Sequence, residues 1–243
     1  MLNTLKALFR ANPAGGSKEE KSADARSIAP GLPASLAHVE MQGLRLDGRV
    51  KIQLVGLRAY EDALFCWDDE TYHHIAAVGH VDLGQGAHLV RFYLDNDTWL
   101  QANIEHGRVV EYKLFDFYRV DHVSDAEFDA VVNGAEKRAD ALGAQQVDIS
   151  STQVAGKVCT FKRVWGDTGS LWSPPVLFEE EVMTTETIAS RQVRHHAMLY
   201  ERPIAGSDRL EYLLLSAEDD GEGSFMVVHN IGVDVASVDI DAL

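Results

Sequence analysis

Apolar and polar residues alternate along much of this chain from about residue 44 onward. The first clear example places Val50, Ile52 and Leu54 on one side, with Lys51 and Gln53 between them. Successive side chains of a β-strand point to opposite faces of the sheet, so a period of two is typical of a strand with one buried face. We therefore predict a strand here.

The clearest alternation runs over residues 88–120 and is interrupted at two places. The sequence Asp-Asn-Asp at 95–97 forms the first interruption, and His106-Gly107 forms the second. Residues of these types favour tight turns, because Asn, Asp and Gly tolerate the left-handed backbone that hairpins require. Two turns between three alternating segments predict a three-stranded antiparallel meander.

A single stretch has helical spacing. Ser124 and Glu127 stand three residues apart, as in a capping box, where each side chain bonds a free amide of the first helical turn. Gly143 is well placed to end the helix. The apolar residues between them fall on one helical face: Phe128, Val131, Val132, Ala135, Ala139 and Leu142. We predict a helix over 125–142.

The second half of the chain returns to strands separated by clusters of Pro, Gly, Ser and Asp. The predicted strands cover 157–165, 176–183, 192–202, 209–217 and 224–231. The predicted fold class is α+β and mainly antiparallel β, in two meander-type sheets or a sandwich, with one principal helix near 125–142.

Residues 1–30 differ in composition from the rest. Residues 11–30 are small, polar and charged, so they cannot bury enough apolar surface to offset their ordering entropy. We predict a flexible arm and linker over 1–30, followed by a mainly-β body over 31–243. Whether that body is one domain or two subdomains, 31–150 and 151–243, is open at this point.

The charge of the arm also differs from that of the chain as a whole. The formal net charge is −16, and no cluster of Lys and Arg forms a basic stripe, so we expect no nucleic-acid partner. The first ten residues nevertheless combine apolar and basic side chains. We predict that this arm binds a protein partner through Leu2, Leu5, Lys6, Leu8, Phe9 and Arg10. Docking in the protein's own groove, a weak lipid contact and a frayed terminus are the alternatives.

No apolar run reaches the roughly 18 residues of a transmembrane helix, and no secretory signal pattern occurs. The sequence therefore predicts a cytoplasmic protein, with at most a weak peripheral contact with the inner membrane.

One segment resembles a catalytic loop. Asp167 lies in a Gly-Asp-Thr-Gly-Ser sequence like that of the pepsin-like aspartic proteases, in which two such loops share a proton between carboxylates. This chain has one such loop, so a second copy of the chain would have to supply the other carboxylate. A turn between strands is the simpler interpretation.

Histidines and glutamates give a further candidate site. His80 and His196 are the candidate metal ligands, because two adjacent histidines on a strand point to opposite faces and can give only one ligand to a common ion. The three glutamates at 179–181 are interpreted as a solvated edge or outer face. No cofactor is predicted.

Four segments together resemble the YjfK-like family of uncharacterised bacterial proteins over about residues 30–243. They are 79–86 (Gly-His-Val-Asp-Leu-Gly-Gln-Gly), 89–101 (Leu-Val-Arg-Phe-Tyr-Leu-Asp-Asn-Asp-Thr-Trp-Leu-Gln), 196–202 (His-Ala-Met-Leu-Tyr-Glu-Arg) and 211–217 (Glu-Tyr-Leu-Leu-Leu-Ser-Ala). These motifs are strand-like and carry over no active site. The resemblance implies an association with PspA-like membrane-stress proteins, small integral membrane proteins and glutathionylspermidine-synthase-like ligases.

We therefore expect a non-catalytic accessory protein that binds protein partners of a membrane-stress system. The alternative is a hydrolytic or metal-dependent enzyme with a site between the two β halves, near His80, Asp167 or His196.

Overall fold

A computed structural model describes residues 32–54, 56–57, 60–67, 71–133, 142–152, 154–184, 190–221 and 223–243. The predicted arm and linker over 1–30 lie outside the described residues, as do all six of the predicted partner-binding residues.

The described residues form twelve strands and one α-helix. In chain order they are β1 (Arg49–Ile52), β2 (His73–Gly84), β3 (Ala87–Leu94), β4 (Thr98–Glu105), β5 (Arg108–Val123), α1 (Asp125–Asn133), β6 (Gln146–Ser150), β7 (Val158–Arg163), β8 (Val176–Thr184), β9 (Arg191–Pro203), β10 (Leu210–Asp219), β11 (Phe225–Val235) and β12 (Ile240–Ala242).

Eight of these strands close into an antiparallel barrel. The order around the barrel is β2-β3-β4-β5-β11-β10-β9-β8, and β8 pairs with β2 to complete the ring. The prediction of two meander-type sheets or a sandwich is therefore wrong. Strands from the two halves of the chain pair directly, β5 with β11 and β2 with β8. Local alternation shows where a strand is, but it does not show which distant strand it joins.

The predicted meander is confirmed as β3, β4 and β5. Its second hairpin turns at His106 (φ 49°) and Gly107 (φ 76°), and its first turn contains Asp97 (φ 61°). Two consecutive positive φ values give the backbone twist that joins antiparallel strands in a two-residue turn. The five strands predicted in the second half correspond to β7–β11.

The start of the predicted helix is also confirmed. The Ser124 backbone N–H donates to Glu127 Oε2 at 2.9 Å, and the Glu127 N–H donates to Ser124 Oγ at 3.4 Å. The helix packs on the barrel through Phe128, whose ring lies 4.9 Å from that of Phe225. Residues 134–141, the rest of the predicted helix, lie outside the described residues. None of the helices described here has the length and apolar character of a membrane span.

Alternate residues of the barrel strands form two apolar clusters. One fills the barrel and includes Ala77, Leu89, Trp99, Phe115, Phe178 and Leu214. The other lies outside it, where outward-facing residues pack against the chain over 32–67, the helix, β6 and β7. Several barrel strands are thus buried on both faces, so β3 has six consecutive buried residues in place of a clean alternation.

Within the described part of the chain, the outer face of strand β8 is left exposed. Its residues alternate, and the outward-facing ones, Leu177, Glu179 and Glu181, are exposed. We call these three residues the bare wall. The exposed fractions of Leu177 and of the Glu179 side chain are 57% and 60%.

Candidate functional site

Glu180 points into the barrel between the two exposed glutamates. Its side chain is fully buried and accepts hydrogen bonds from Arg91 Nη1 at 2.6 Å and from the Tyr93 hydroxyl at 2.7 Å, both on β3. The interpretation of residues 179–181 as a solvated outer face is therefore right for Glu179 and Glu181 and wrong for Glu180. Strand alternation requires that the middle residue face the opposite side.

His195 completes the ion cluster from β9. Its Nε2 lies 3.0 Å from Glu180 Oε2, and its Nδ1 lies 3.3 Å from Glu218 Oε1. The ring of Phe178 stacks on the imidazole at 4.9 Å. Arg91 contacts the same Glu180 carboxylate. Two basic groups, Arg91 and His195, and two carboxylates, Glu180 and Glu218, therefore share one buried volume.

The charges of this cluster balance only when the imidazole is protonated. Burial alone would raise the pKa of Glu180, but Arg91 and His195 outweigh it and lower that pKa to about 2. Burial would lower the pKa of His195, but Glu218 and Glu180 outweigh it and raise that pKa above its ordinary value. An unpaired charge in a desolvated site is costly, so Arg91, Glu180 and His195 stabilise one another's ionised forms.

A chain of hydrogen bonds continues from the cluster through the barrel. Arg91 Nε donates to Gln101 Oε1 at 3.1 Å, and Gln101 Nε2 donates to Asn103 Oδ1 at 2.7 Å. Asn103 Nδ2 then donates to Glu111 Oε2 at 2.7 Å. Each of these four side chains thereby finds a partner, as buried polar groups require.

This series of hydrogen bonds ends at the ammonium group of Lys113. Lys113 Nζ contacts Glu111 Oε1 at 2.7 Å and Asp234 Oδ1 at 2.5 Å, and it lies 3.7 Å from the centre of the Tyr212 ring. Both carboxylates are about half exposed, at 40% and 50%. This end of the polar chain therefore meets solvent, whereas the end at Glu218 is buried.

The space left among these side chains is small. A cavity of about 20 Å³ is lined by Arg91, Tyr93, Trp99, Glu180, His195 and Asn230, among others. A volume of that size holds about one water molecule. The barrel interior is therefore packed, with its polar side chains set among the apolar ones.

A second ion network fastens the outer layer to the barrel. The buried Glu211 carboxylate accepts the backbone N–H groups of Leu64 and Phe65, each at 2.7 Å, and the Arg202 Nε at 2.8 Å. Arg202 Nη1 also contacts Asp62 Oδ2 at 2.6 Å. This pairing holds the chain before β2 against the outer face of β9 and β10.

Asp167, the candidate for a catalytic role, lies away from both networks. Asp167 is exposed in the loop after β7, where its Oδ1 accepts the backbone N–H of Gly169 at 3.0 Å. This contact is an Asx turn, the local bond that makes Asp a common turn residue.

The two predicted metal ligands lie on the barrel's outer side and are not brought together. His80 is in register with Glu181, and His196 is in register with Leu177, four residues away along β8. That separation is roughly 13 Å along the strand. His80 instead contacts His88, Nε2 to Nδ1, at 3.2 Å, and His196 meets the edge of the Phe128 ring. Across the described part of the chain, no group of three or more His, Cys, Asp or Glu is arranged to hold a metal ion.

Comparison with known proteins gives the family. The family described as "Protein of unknown function (DUF2491)" matches residues 16–241, which is most of the chain. The chain belongs to this family. It is also similar to "Uncharacterized protein YjfK" of Escherichia coli (strain K12), with 26% identity over 202 residues, covering 79% of this chain and 86% of that protein. The resemblance drawn from the strand motifs is thus confirmed. No solved structure matches the chain.

The ion cluster of this DUF2491 chain was missed at the level of sequence. Arg91 stands in an otherwise apolar strand, Leu-Val-Arg-Phe-Tyr-Leu, which is the one local signal that a buried charge needs a partner. Glu180 and His195 stand beside residues of similar type that face outward, Glu179 and His196. Sequence alone does not say which member of each pair faces inward.

Proposed function

We propose that this protein is a non-catalytic interaction protein that binds protein partners through its outer surface. The observation that carries the proposal is the bare wall on the outer face of β8, which the described residues leave exposed while they cover most of the barrel. The interior favours the same interpretation, because its side chains fill it around a cavity of about 20 Å³. A substrate would need a concave site that it can reach.

The chemistry of the bare wall suggests the chemistry of the partner. Leu177 offers an apolar anchor, and Glu179 and Glu181 follow it on the same face of the strand. Arg194 lies 3.7 Å from Glu179, with both side chains more than half exposed, so solvent screens their attraction. A surface of this kind suits a basic partner that inserts an apolar side chain, with the charges steering the encounter.

The family context suggests a more specific partner. A PspA-like protein of a membrane-stress system is the partner that the YjfK-like resemblance implies, and we place this protein with it in the cytoplasm, at the surface of the inner membrane. The arm over residues 1–10 is proposed as a second contact. Two weak contacts joined by a linker can give a tight complex without any new surface.

Binding of the full chain to the purified PspA-like protein of the same bacterium tests the proposal. Burying an exposed leucine contributes about 1.5–3 kcal/mol, so Leu177→Asp should weaken binding about tenfold or more in isothermal titration calorimetry. Val158→Asp on β7 is the matched control, because Leu177 and Val158 are both 57% exposed on a strand. Equal affinities of the two variants, or no binding by the wild type, would overturn the proposal.

The contribution of the arm is tested separately. Deleting residues 1–10 should weaken capture of the same partner and leave the melting temperature of the body unchanged. Leu5→Asp and Phe9→Asp should mimic the deletion, while Lys6→Gln should matter mainly at low salt, where charge attraction is less screened. Unchanged capture by the truncated chain would leave the bare wall as the only proposed contact.

A further inference from the structure

Strand β8 is joined to the barrel more weakly than its neighbours are. Among the described residues, four residues of β2, Ala77–His80, pair with β8, whereas β8 pairs with β9 over seven residues, Val176–Val182. Every other neighbouring pair of barrel strands is at least as long as the β8–β9 pair. The bare wall adds no packing on the outer side. Strands with fewer backbone hydrogen bonds and less burial open first in native proteins.

A side chain compensates for the short pairing. The Glu180 carboxylate passes over Gly79 of β2 and reaches β3, where it binds Arg91 and Tyr93. A Cβ atom on Gly79 would lie 1.7 Å from Glu180 Oε1, so no other residue fits beneath the carboxylate. Glu180 thus ties β8 to the strand beyond its neighbour.

The site that receives Glu180 has the composition of an anion-binding site. The Arg91 guanidinium, the Tyr93 hydroxyl and the His195 imidazole converge on the two carboxylate oxygens, at 2.6 Å, 2.7 Å and 3.0 Å. Donors of this kind bind a carboxylate strongly when desolvated. The acceptor is attached to the strand whose pairing with a neighbour, over the described residues, is the shortest in the barrel.

We propose that β8 is a detachable strand of the barrel, and that the Glu180 carboxylate holds it closed by acting as an internal ligand of the Arg91–Tyr93–His195 site. Release of β8 opens the polar interior between β2 and β9. The vacated site then accepts another carboxylate in place of Glu180. Release of β8 does not depend on which partner the protein binds.

Amide hydrogen exchange of the full chain, followed by mass spectrometry, tests the detachable strand. In the wild type, β8 should exchange faster than β4 and β5, which are paired over longer stretches and covered on the outside. Glu180→Gln should raise the exchange of β8 at least tenfold while β4 and β5 change little, because the amide lacks the charge that Arg91 needs. Glu179→Gln, the neighbouring outward glutamate, should leave β8 unchanged.

Wild-type protection of β8 equal to that of β4 and β5 would overturn the proposal, whether or not the Glu180→Gln variant folds. An equal effect of the Glu179 and Glu180 variants would also overturn it.

The anion site is tested with added acetate. In Glu180→Ala, acetate should raise the melting temperature as its concentration rises, because it binds the vacated site of the folded protein only, and sodium chloride at the same ionic strength should not. The wild type should show no response, since its own carboxylate fills the site. Equal effects of acetate and chloride would show that Arg91, Tyr93 and His195 do not form a carboxylate site.

Discussion

Asp116 on β5 carries a carboxyl group that sets how stability depends on pH. Its Oδ1 is buried without a hydrogen-bond partner. Burial, with a contribution from Glu211, raises the pKa of this carboxyl from 3.8 to about 8. The folded state therefore binds this proton more tightly than the unfolded state, and the stability that results is lost as the pH rises from about 4 through 8.

His195 acts in the same direction. Because its pKa in the folded protein is above the ordinary value, its contribution to stability is complete below that ordinary value and is lost as the pH rises through the folded one. Two different groups thus make the protein less stable in mildly alkaline solution.

Asp116→Asn should flatten this dependence, because an amide resembles the protonated carboxyl and carries no charge to bury. The melting temperature of the variant should match that of the wild type near pH 4 and exceed it by a margin that grows until about pH 8, as measured by calorimetry. Identical pH profiles for the two proteins would mean that Asp116 ionises freely in the folded state.

At the scale of elements, the sequence was most informative where a local rule decides the outcome. The β3–β5 meander was predictable because its turn residues select the hairpin backbone, and the start of α1 because Ser124 and Glu127 satisfy its free amides. β2 was missed because Ile-Ala-Ala-Val-Gly is buried on both sides and shows no alternation. β12 was missed because three residues are too few for a pattern.

The helix cap gives a test at this scale. Ser124→Ala removes the hydroxyl that accepts a hydrogen bond from the Glu127 backbone N–H. The free energy of unfolding should fall by about 1 kcal/mol. Ser124→Thr keeps a hydroxyl and should cost much less. Urea denaturation monitored by circular dichroism measures both, and a Ser124→Ala midpoint equal to that of the wild type would contradict the observed cap.

At the scale of the whole molecule, closure of the barrel depends on contacts that sequence patterns do not report. The β5–β11 and β2–β8 pairs join residues about a hundred positions apart, and the cluster of Arg91, Glu180 and His195 exists only once the ring is closed. Individual strands could be located from local alternation. Their order around the ring, and hence the polar interior, could not.

The barrel takes four strands from residues 31–150 and four from residues 151–243. Neither half can close the ring alone, so the body should unfold in one cooperative transition. Differential scanning calorimetry should give a single peak whose calorimetric and van't Hoff enthalpies agree. Two separate transitions would indicate that the halves fold independently.

The most direct test of the closed barrel is a double-mutant cycle on Arg91 and Glu180, with Arg91→Gln and Glu180→Gln alone and together. Arg91 on β3 and Glu180 on β8 form a buried, hydrogen-bonded pair across the junction of β8 with β2. The unfolding free energies should therefore give a coupling energy between the two residues of at least about 2 kcal/mol. The same cycle on the exposed pair Glu179 and Arg194, 3.7 Å apart, provides the reference, and there the coupling should stay below about 1 kcal/mol. A coupling between Arg91 and Glu180 no larger than that reference would place Glu180 on the solvated face and contradict the closed barrel.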